Sequence, residues 1–340
     1  MKHHPSIVVV GGGIFGLWQA YELARRGHAV TLHEALPEAA TGVSSRIAGA
    51  MLAPYCEAEA AEPIIQSLGL RGLALWKASY PGVVARGSLV VAAPRDQSEL
   101  TRFARLTDGH QLIDAGRIAA LESALADRFP RGLFYADEAH VVPRAALAWL
   151  AAEARRLRAD LRFGAPVADA AAFAASGHLV IDCRGFAARP DLADLRGVRG
   201  EMAVVRAPDV GLTRPVRLLH PRFPLYVVPW GDHLYMVGAT VIEREDAGPV
   251  TVRSALDLLG TAYAVHPAFG EAEIVELNAG VRPSLPDNVP KIVVRGRHIY
   301  VTGAYRHGYL LAPVLACLTA DFIETGSIDA RVFVIDDPNA

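Results

Sequence analysis

The sequence predicts an α/β fold in which a doubly wound, parallel nucleotide-binding sheet is interleaved with a second domain of antiparallel strands. A strand–helix–strand unit opens the chain at residues 7–34, and a second crossover follows at residues 140–167. Residues 200–241 change to short β-rich runs joined by turn residues, which is typical of antiparallel hairpins. Because this block lacks βαβ alternation, we assign it to a separate domain.

The first unit contains a glycine fingerprint, G-x-G-x-x-G, directly after a buried strand at residues 7–10. Gly11 allows a tight turn, Gly13 lets a phosphate approach the backbone, and Gly16 lets helix and strand pack closely. The next strand delivers Glu34, whose carboxylate can accept hydrogen bonds from ribose hydroxyls while the pyrophosphate rests on the helix N-terminus. The pattern predicts a dinucleotide but does not separate NAD from FAD. Its predicted contacts are Gly11, Gly13, Ile14, Phe15, Gly16 and Glu34.

Composition and charge exclude several classes of protein. A length of 340 residues allows about two domains, and a net charge of −2 gives no electrostatic case for nucleic acid or an anionic membrane as partner. The cysteines at 56, 183 and 317 are widely spaced, so we expect neither a disulfide framework nor a metal site. No secretory signal precedes the first strand, and the apolar stretch 309–323 is too short to span a bilayer. We therefore expect a cytoplasmic protein.

A stretch rich in small residues follows the first unit. Ser44 or Ser45 could cap a second helix whose amides face the same ligand. The hydroxyls and the Arg46 cation suit a second phosphate or a ribityl chain, and small residues would let a flat group lie against the backbone. A capped surface helix without a ligand is the alternative. The candidate contacts are Thr41, Ser44, Ser45, Arg46, Gly49, Ala50 and Met51.

The rest of the chain predicts further elements in order. These are strands at 88–93, 161–167, 179–182, 226–229, 234–237, 292–294 and 299–302, and helices at 144–157, at 251–265 and after Gly303. The strand at 179–182 closes on Cys183 and Gly185, and such a strand commonly lies beside the first one in a doubly wound sheet. We predict a nucleotide domain of residues 1–85, 139–199 and 277–340, and a substrate domain of residues 86–138 and 200–276.

Three late clusters carry chemistry: Tyr226 in LYVVP, Arg282 in GVRP, and GAYRHGYLLAP from Gly303. An arginine between glycine and proline stands on a rigid turn, where its guanidinium can grip a carboxylate with two parallel hydrogen bonds. A surface salt bridge is the alternative for Arg282 alone. A helix that begins near Gly308 directs its positive end at whatever precedes it, and beside a flavin it would stabilise the negative charge of the reduced ring.

With these motifs the chain resembles the D-amino-acid-oxidase superfamily of flavoproteins, and within it the glycine oxidases of thiamine thiazole biosynthesis. The resemblance covers nearly the whole chain and rests on VVVGGGIFGL, SSRIAGAMLAPYCEAEAAEP, GVRP with the following PD, and GAYRHGYLLAP. The last motif is similar to the family signature G-H-aromatic-R-N-G-x-L-L-A-P. The resemblance implies FAD as the cofactor, a D-amino-acid-oxidase-like fold and a homo-oligomer.

The resemblance also implies roles for individual residues. Arg282 matches the arginine that binds the substrate carboxylate, Tyr226 matches the tyrosine that assists it, and Arg306 matches a second arginine near the flavin. Val167 matches the residue whose backbone contacts the adenine. The catalytic set is then Arg282, Tyr226 and Arg306; the further cofactor contacts are Val167, Cys183, Gly185, Gly280, Arg282, His307, Gly308, Tyr309, Leu310 and Leu311.

The chain departs from the family pattern at two positions. Ala304 replaces a usual histidine and His307 a usual asparagine, which bears on the ring contacts and on oxygen reactivity but not on the cofactor. Related sarcosine oxidases attach their flavin through a cysteine before the P-D pair. Gly280 stands there, so we expect noncovalent FAD.

The activity implied is oxidation of glycine to its imine, with O2 reduced to H2O2. The imine would hydrolyse to glyoxylate or pass to a thiazole-forming partner protein. Two alternatives stay open at this stage. One is a broader oxidase of D-amino acids or N-methyl amino acids, or a dehydrogenase with another acceptor. The other is a flavin-holding subunit that is not itself catalytic.

Overall fold

The computed structural model describes residues 6–38, 44–221 and 224–336. The strands are β1 (Ile7–Val10), β2 (Val30–Glu34), β3 (Met51–Leu52), β4 (Ser88–Ala92), β5 (Gln111–Asp114), β6 (Arg131–Tyr135), β7 (Ala139–His140), β8 (Asp160–Phe163), β9 (Leu179–Asp182), β10 (Arg196–Arg206), β11 (Val216–Leu219), β12 (Leu225–Gly231), β13 (Leu234–Gly238), β14 (Glu273–Ser284), β15 (Lys291–Arg295), β16 (His298–Thr302) and β17 (Phe333–Ile335). The helices are α1 (Ile14–Arg25), α2 (Pro54–Glu57), α3 (Pro63–Ser79), α4 (Gln97–Leu106), α5 (Ala115–Leu121), α6 (Pro143–Arg156), α7 (Ala170–Ala175), α8 (Val252–Val265) and α9 (Gly308–Thr325).

The first sheet is the doubly wound one and has the strand order β17-β15-β16-β9-β1-β2-β8. β1 pairs in parallel with β2 and β9, so that Val10 lies beside His33 and Asp182. Apolar residues of these strands pack with α1, α3, α6 and α9 in one continuous core. The carboxyl ends of β1, β2 and β9 meet at one edge, which is where sheets of this kind bind nucleotides.

The second sheet has the order β14-β10-β13-β12-β11-β4-β6-β5. Its pairings are antiparallel except between β4 and β11. β12 and β13 form the predicted hairpin, and Tyr226 of β12 pairs with Arg217 of β11. Residues paired directly across antiparallel strands project from the same face. Tyr226 packs against a cluster that contains Ile47, and its ring lies 2.8 Å from the position of a Cβ on Gly49, so this face looks toward the nucleotide-binding half.

The structure confirms the predicted fold class and corrects several elements. β8 ends at Phe163, so Val167 lies in the following loop. Residues 44–47 form a single 3-10 turn and not a capped helix. The long strands β10 and β14 were not predicted, and the predicted domain limits at 199/200 and 276/277 fall inside them. Their sequences mix glycine, proline and charged residues, which hides the strand pattern.

Helix α9 extends beyond the apolar stretch identified in the sequence. By length and composition alone it could cross a membrane. In the fold, Gln19 Nε2 of α1 donates a hydrogen bond to Thr319 Oγ1 at 3.1 Å, and Trp76 Nε1 of α3 donates to the Tyr309 carbonyl at 2.6 Å. These contacts and its burial identify α9 as a core helix.

Candidate functional site

The glycine turn after β1 is built by close backbone approach. Gly11 has φ +103°, and a Cβ placed there would lie 2.6 Å from the Cys183 carbonyl oxygen. A Cβ on Gly16 would lie only 1.8 Å from the Gly11 carbonyl oxygen. Any side chain at Gly16 would therefore push α1 away from the turn. The two glycines keep the N-terminus of α1 at the sheet edge, where a pyrophosphate binds.

Side chains complete this end of the nucleotide site. The Gly12 amide and the Leu36 amide both donate to the Glu34 carboxylate, which fixes that acid beside the turn at the end of β2. The Ile14 amide donates to Ser45 Oγ at 3.0 Å. Ser45 thus caps α1 and not a helix of its own, which corrects the expectation for this stretch and brings it to the dinucleotide turn. Thr41 lies outside the described residues.

The stretch 44–51 lies between the two domains. A Cβ on Gly280 would lie 2.9 Å from Ser44 Oγ, and a Cβ on Gly49 would lie 2.8 Å from the Tyr226 ring. Small residues on both sides therefore let the first domain meet the second sheet closely. Ala50 has φ +50° and precedes Met51 at the start of β3. Arg46 Nη1 donates to the Glu38 carbonyl at 3.3 Å.

The remaining predicted nucleotide contacts lie along the same sheet edge. The Cys183 amide donates to the Val10 carbonyl at 2.7 Å, and Gly185 follows with φ +63°. Val167 packs against a small cluster that contains Val8 and Val10 of β1. Cys183 thus lies at the glycine turn, and Val167 lies beside the strand that leads into it; the adenine contact of Val167 stays a prediction.

The loop before α9 brings a second helix N-terminus to the site. Tyr305 has φ +50°, and its amide donates to the Pro283 carbonyl at 2.9 Å. A Cβ on Gly308 would lie 3.7 Å from Ile14 Cγ2, so the N-termini of α9 and α1 are neighbours. The Tyr309 hydroxyl donates to the Ser45 carbonyl at 2.7 Å. Both positive helix ends therefore face one region, where a flavin dinucleotide would gain from them.

The three predicted catalytic residues line one cavity of about 670 Å³, between the end of β13, α8 and the loop before α9. Arg282 Nη1 donates to the Thr240 carbonyl at 3.1 Å. A Cβ on Gly200 would lie 2.2 Å from the Arg282 guanidinium. The Arg282 side chain therefore crosses β10 at a glycine, where the strand has no side chain of its own. Burial lowers the pKa of Arg282, and Tyr226 partly offsets this effect. Among the residues that the structure describes, Nε and Nη2 of Arg282 have no hydrogen-bond acceptor, so these donors can serve an anion in the cavity.

The site contains an acid that no sequence motif indicated. Glu57, the last residue of α2, accepts from Arg306 Nη2 at 3.0 Å through Oε1 and lies 2.7 Å from Arg306 Nε through Oε2. His307 Nδ1 lies 3.3 Å from the same Oε2. The His307 imidazole thus lies beside Glu57, and the cofactor contact expected of His307 stays a prediction. Ala304, where the resemblance has a histidine, is buried and bridges to Ser284.

Arg217 of β11 was missed as well. Its side chain is only 8% exposed, and its Nη1 lies 3.6 Å from Glu57 Oε1. The guanidinium stands over the Phe103 ring at 5.1 Å and lines the same cavity as Arg282 and Arg306. No motif marks this arginine in the sequence; only the pairing of β11 with β12 brings it next to Tyr226.

The site therefore has a dinucleotide cradle at the edge of the first sheet and a cavity lined by arginines from the second sheet and from the loop before α9, and the two meet at residues 44–51. This is the arrangement of a dinucleotide-dependent oxidoreductase. The chain belongs to the family of FAD-dependent oxidoreductases (DAO), whose model matches residues 6–322.

Three relatives illustrate the match. A protein of Rhizobium etli, named provisionally as the thiamine biosynthesis oxidoreductase ThiO, is 50% identical over 91% of this chain and 94% of its own. Glycine oxidase of Geobacillus kaustophilus is 28% identical over 95% of this chain and 94% of its own. Its crystal structure superposes with a TM-score of 0.80 at 24% identity, covering 95% of each chain. The bifunctional protein ThiO/ThiG of Trichormus variabilis is 27% identical over 94% of this chain and 52% of its own.

The protein is thus an FAD-dependent oxidoreductase, and it holds FAD noncovalently. The described residues fit this cofactor: close backbone approach at Gly11 and Gly16 holds the N-terminus of α1 at the sheet edge, and the N-terminus of α9 lies beside it. Gly280, upstream of Pro286 and Asp287, stands at the position where a covalent flavoprotein would offer a thiol.

Proposed function

We propose that the protein oxidises glycine to its imine, with O2 reduced to H2O2. Glycine, C2H5NO2, loses two hydrogen atoms to give the imine C2H3NO2, and O2 gains them. The observation that carries this proposal is the meeting of Arg282, Tyr226 and Arg306 on one cavity beside the nucleotide domain. Two guanidinium groups and a phenol suit a single carboxylate on a small substrate.

The chain's own residues would bind and orient the amino acid. Arg282 would donate two parallel hydrogen bonds to the carboxylate while its Nη1 stays anchored on the Thr240 carbonyl. The Tyr226 hydroxyl would donate a further bond from the neighbouring strand. Docked in this way with its amine neutral, the substrate needs no protein acid or base for loss of the α-hydrogen, so orientation is the main contribution of these residues.

Bound FAD would supply the two-electron acceptor. The residues that would hold it are the glycine turn, Glu34, Ser44 and Ser45, Gly49 to Met51, and the backbone from His307 to Leu310. The N-termini of α1 and α9 would stabilise negative charge there. Enclosure of the cavity by the two domains would keep water from the reacting groups.

A broader amine or D-amino-acid oxidase is the second candidate. The cavity of about 670 Å³ extends beyond the arginines to Ser254, Asp257 and Thr261 of α8, which leaves room for a substituent on the amine or the α-carbon. Oxygen uptake and peroxide yield with glycine, sarcosine and D-alanine separate the candidates. Turnover of glycine with equimolar peroxide supports the first; turnover without peroxide indicates a dehydrogenase.

We further propose that the imine serves thiazole formation in thiamine biosynthesis and is passed to a partner protein in the cytoplasm. The names of the Rhizobium etli and Trichormus variabilis relatives support this proposal, and in the latter a homologous half is joined to a second half named ThiG. A strain that lacks this chain should need added thiazole in thiamine-free medium. Growth without it would contradict the proposal.

A further inference from the structure

Glu57 is a buried acid that contacts two of the cavity's arginines, Arg306 and Arg217. Its Oε1 accepts from Arg306 Nη2 at 3.0 Å, its Oε2 lies 2.7 Å from Arg306 Nε, and its Oε1 also lies 3.6 Å from Arg217 Nη1. A two-pronged contact of this kind fixes the plane of a guanidinium. Glu57 thus fixes one cavity arginine and lies close to a second.

The carboxylate is held in its charged form. Burial would raise the pKa of Glu57, but Arg306, His307 and Arg217 together hold that pKa well below its usual range. Glu138, the nearest other buried acid, accepts instead from the Tyr55 and Cys56 amides. Glu59 pairs with Arg102 at 2.9 Å and lies 3.8 Å from Arg217 Nη2. Asp257 of α8 lines another part of the cavity. Glu57 is therefore the acid that places a buried negative charge against Arg306.

We propose that Glu57 is the positioning residue for Arg306 and Arg217, and that its charge makes the cavity select substrates with one carboxylate over those with two. This inference rests on the proposed function for its substrate class. Arg217, Arg282 and Arg306 all line the cavity. With Glu57 present, part of their charge is already neutralised. Without it, the cavity gains one net positive charge, and a second carboxylate becomes favourable.

The test measures anion binding to the FAD-loaded protein, with acetate as monoanion and malonate as dianion. In Glu57→Gln, which keeps size but removes charge, the malonate-to-acetate affinity ratio should rise at least tenfold. Glu57→Asp should restore most of the wild-type ratio. Glu62→Gln, an exposed acid five residues on, is the matched control and should leave the ratio unchanged. A loaded Glu57→Gln protein with the wild-type ratio would overturn the proposal.

Kinetics give a second readout. In Glu57→Gln, kcat for glycine should fall at least tenfold with a smaller change in KM, because Arg282 and Tyr226 do not contact Glu57. The kcat/KM for iminodiacetate relative to sarcosine should rise.

If Glu57→Gln does not load FAD, the charge balance of the cavity is tested with Arg217→Gln. In this variant the malonate-to-acetate affinity ratio must fall. Wild-type protein that binds acetate but does not oxidise glycine would sink the proposed function and leave the anion test intact.

Discussion

The nucleotide cradle and the substrate cavity are built in opposite ways. The cradle consists of backbone held by contacts that exclude a Cβ, as at Gly11 and Gly16, and the glycines of its turn are close together in the sequence. The cavity consists of long charged side chains from α2, β11, β14 and the loop before α9. The cradle should therefore fail through steric clashes, and the cavity should fail through altered charge or misplaced side chains.

The largest effect is expected for Gly16→Ala. Its Cβ would meet the Gly11 carbonyl oxygen at 1.8 Å, and backbone cannot move aside cheaply. We expect purified protein without bound FAD and with a lower Tm, measured by the absorbance ratio at 450 and 280 nm and by thermal unfolding. Gly260→Ala in α8, where nothing lies within 4 Å, is the control and should keep full FAD content.

Arg282→Ala tests the substrate cavity, which is built from charged side chains. Loss of a charge-assisted carboxylate contact costs about 2 to 4 kcal/mol, which corresponds to a drop in kcat/KM of roughly 30- to 1,000-fold, mostly through KM. FAD content should stay at the wild-type level. Arg156→Ala, an exposed arginine paired with Glu153, is the comparison. Steady-state oxygen uptake measures kcat and KM of both variants. An unchanged KM in Arg282→Ala would show that Arg282 does not bind the substrate.

Glu138, which lies behind α2 near the cavity, should make the free energy of unfolding depend on pH. Burial raises the pKa of Glu138 to about 7, against the lowering effect of the Cys56 amide. A carboxyl whose folded pKa is raised stabilises the fold below its unfolded pKa, near 4.5, and this stabilisation is lost as pH rises through 7. Relative to Glu138→Gln, the wild-type free energy of unfolding should fall by about 3 kcal/mol between pH 4 and pH 8. Urea unfolding of both proteins at several pH values measures this difference. The same pH dependence of the unfolding free energy in wild type and Glu138→Gln would contradict the prediction.

The smallest expected effect is that of Gly200→Ala. Its Cβ would lie 2.2 Å from the Arg282 guanidinium, which is the mobile end of a side chain and can shift. We expect kcat/KM to fall about tenfold, or roughly 1.4 kcal/mol, with FAD content unchanged. Gly211→Ala, with open space around it, should leave kcat/KM at the wild-type value. Loss of FAD in Gly200→Ala would instead show that the two regions are not separable.

The same contrast explains what could be predicted from the sequence. The cradle was predictable because apolar strands such as β1 and β9 run directly into glycines whose spacing reports a turn. Glu57 was hidden because it lies in an alanine- and glutamate-rich run that is typical of a solvated helix face. β10 and β14 were hidden because Gly200 and Gly280, which make room for Arg282 and Ser44, weaken the strand pattern.

Ser45 shows a further limit of sequence reasoning. Its capping role was expected from residue type, but the amide it accepts from belongs to Ile14, some thirty residues earlier in the chain. Arg217 likewise became a site residue only through the register of β11 with β12. Contacts between distant segments depend on the packing of the two domains, which local patterns do not encode.

The central claim is that this cavity delivers a small amino acid to bound FAD. It is tested most directly by mixing the purified yellow protein with glycine under anaerobic conditions and recording the flavin absorbance near 450 nm. We predict bleaching that saturates with glycine concentration, and a saturation midpoint that rises strongly in Arg282→Ala. Flavin that stays oxidised with glycine, sarcosine and D-alanine, yet is reduced by dithionite, would contradict the account.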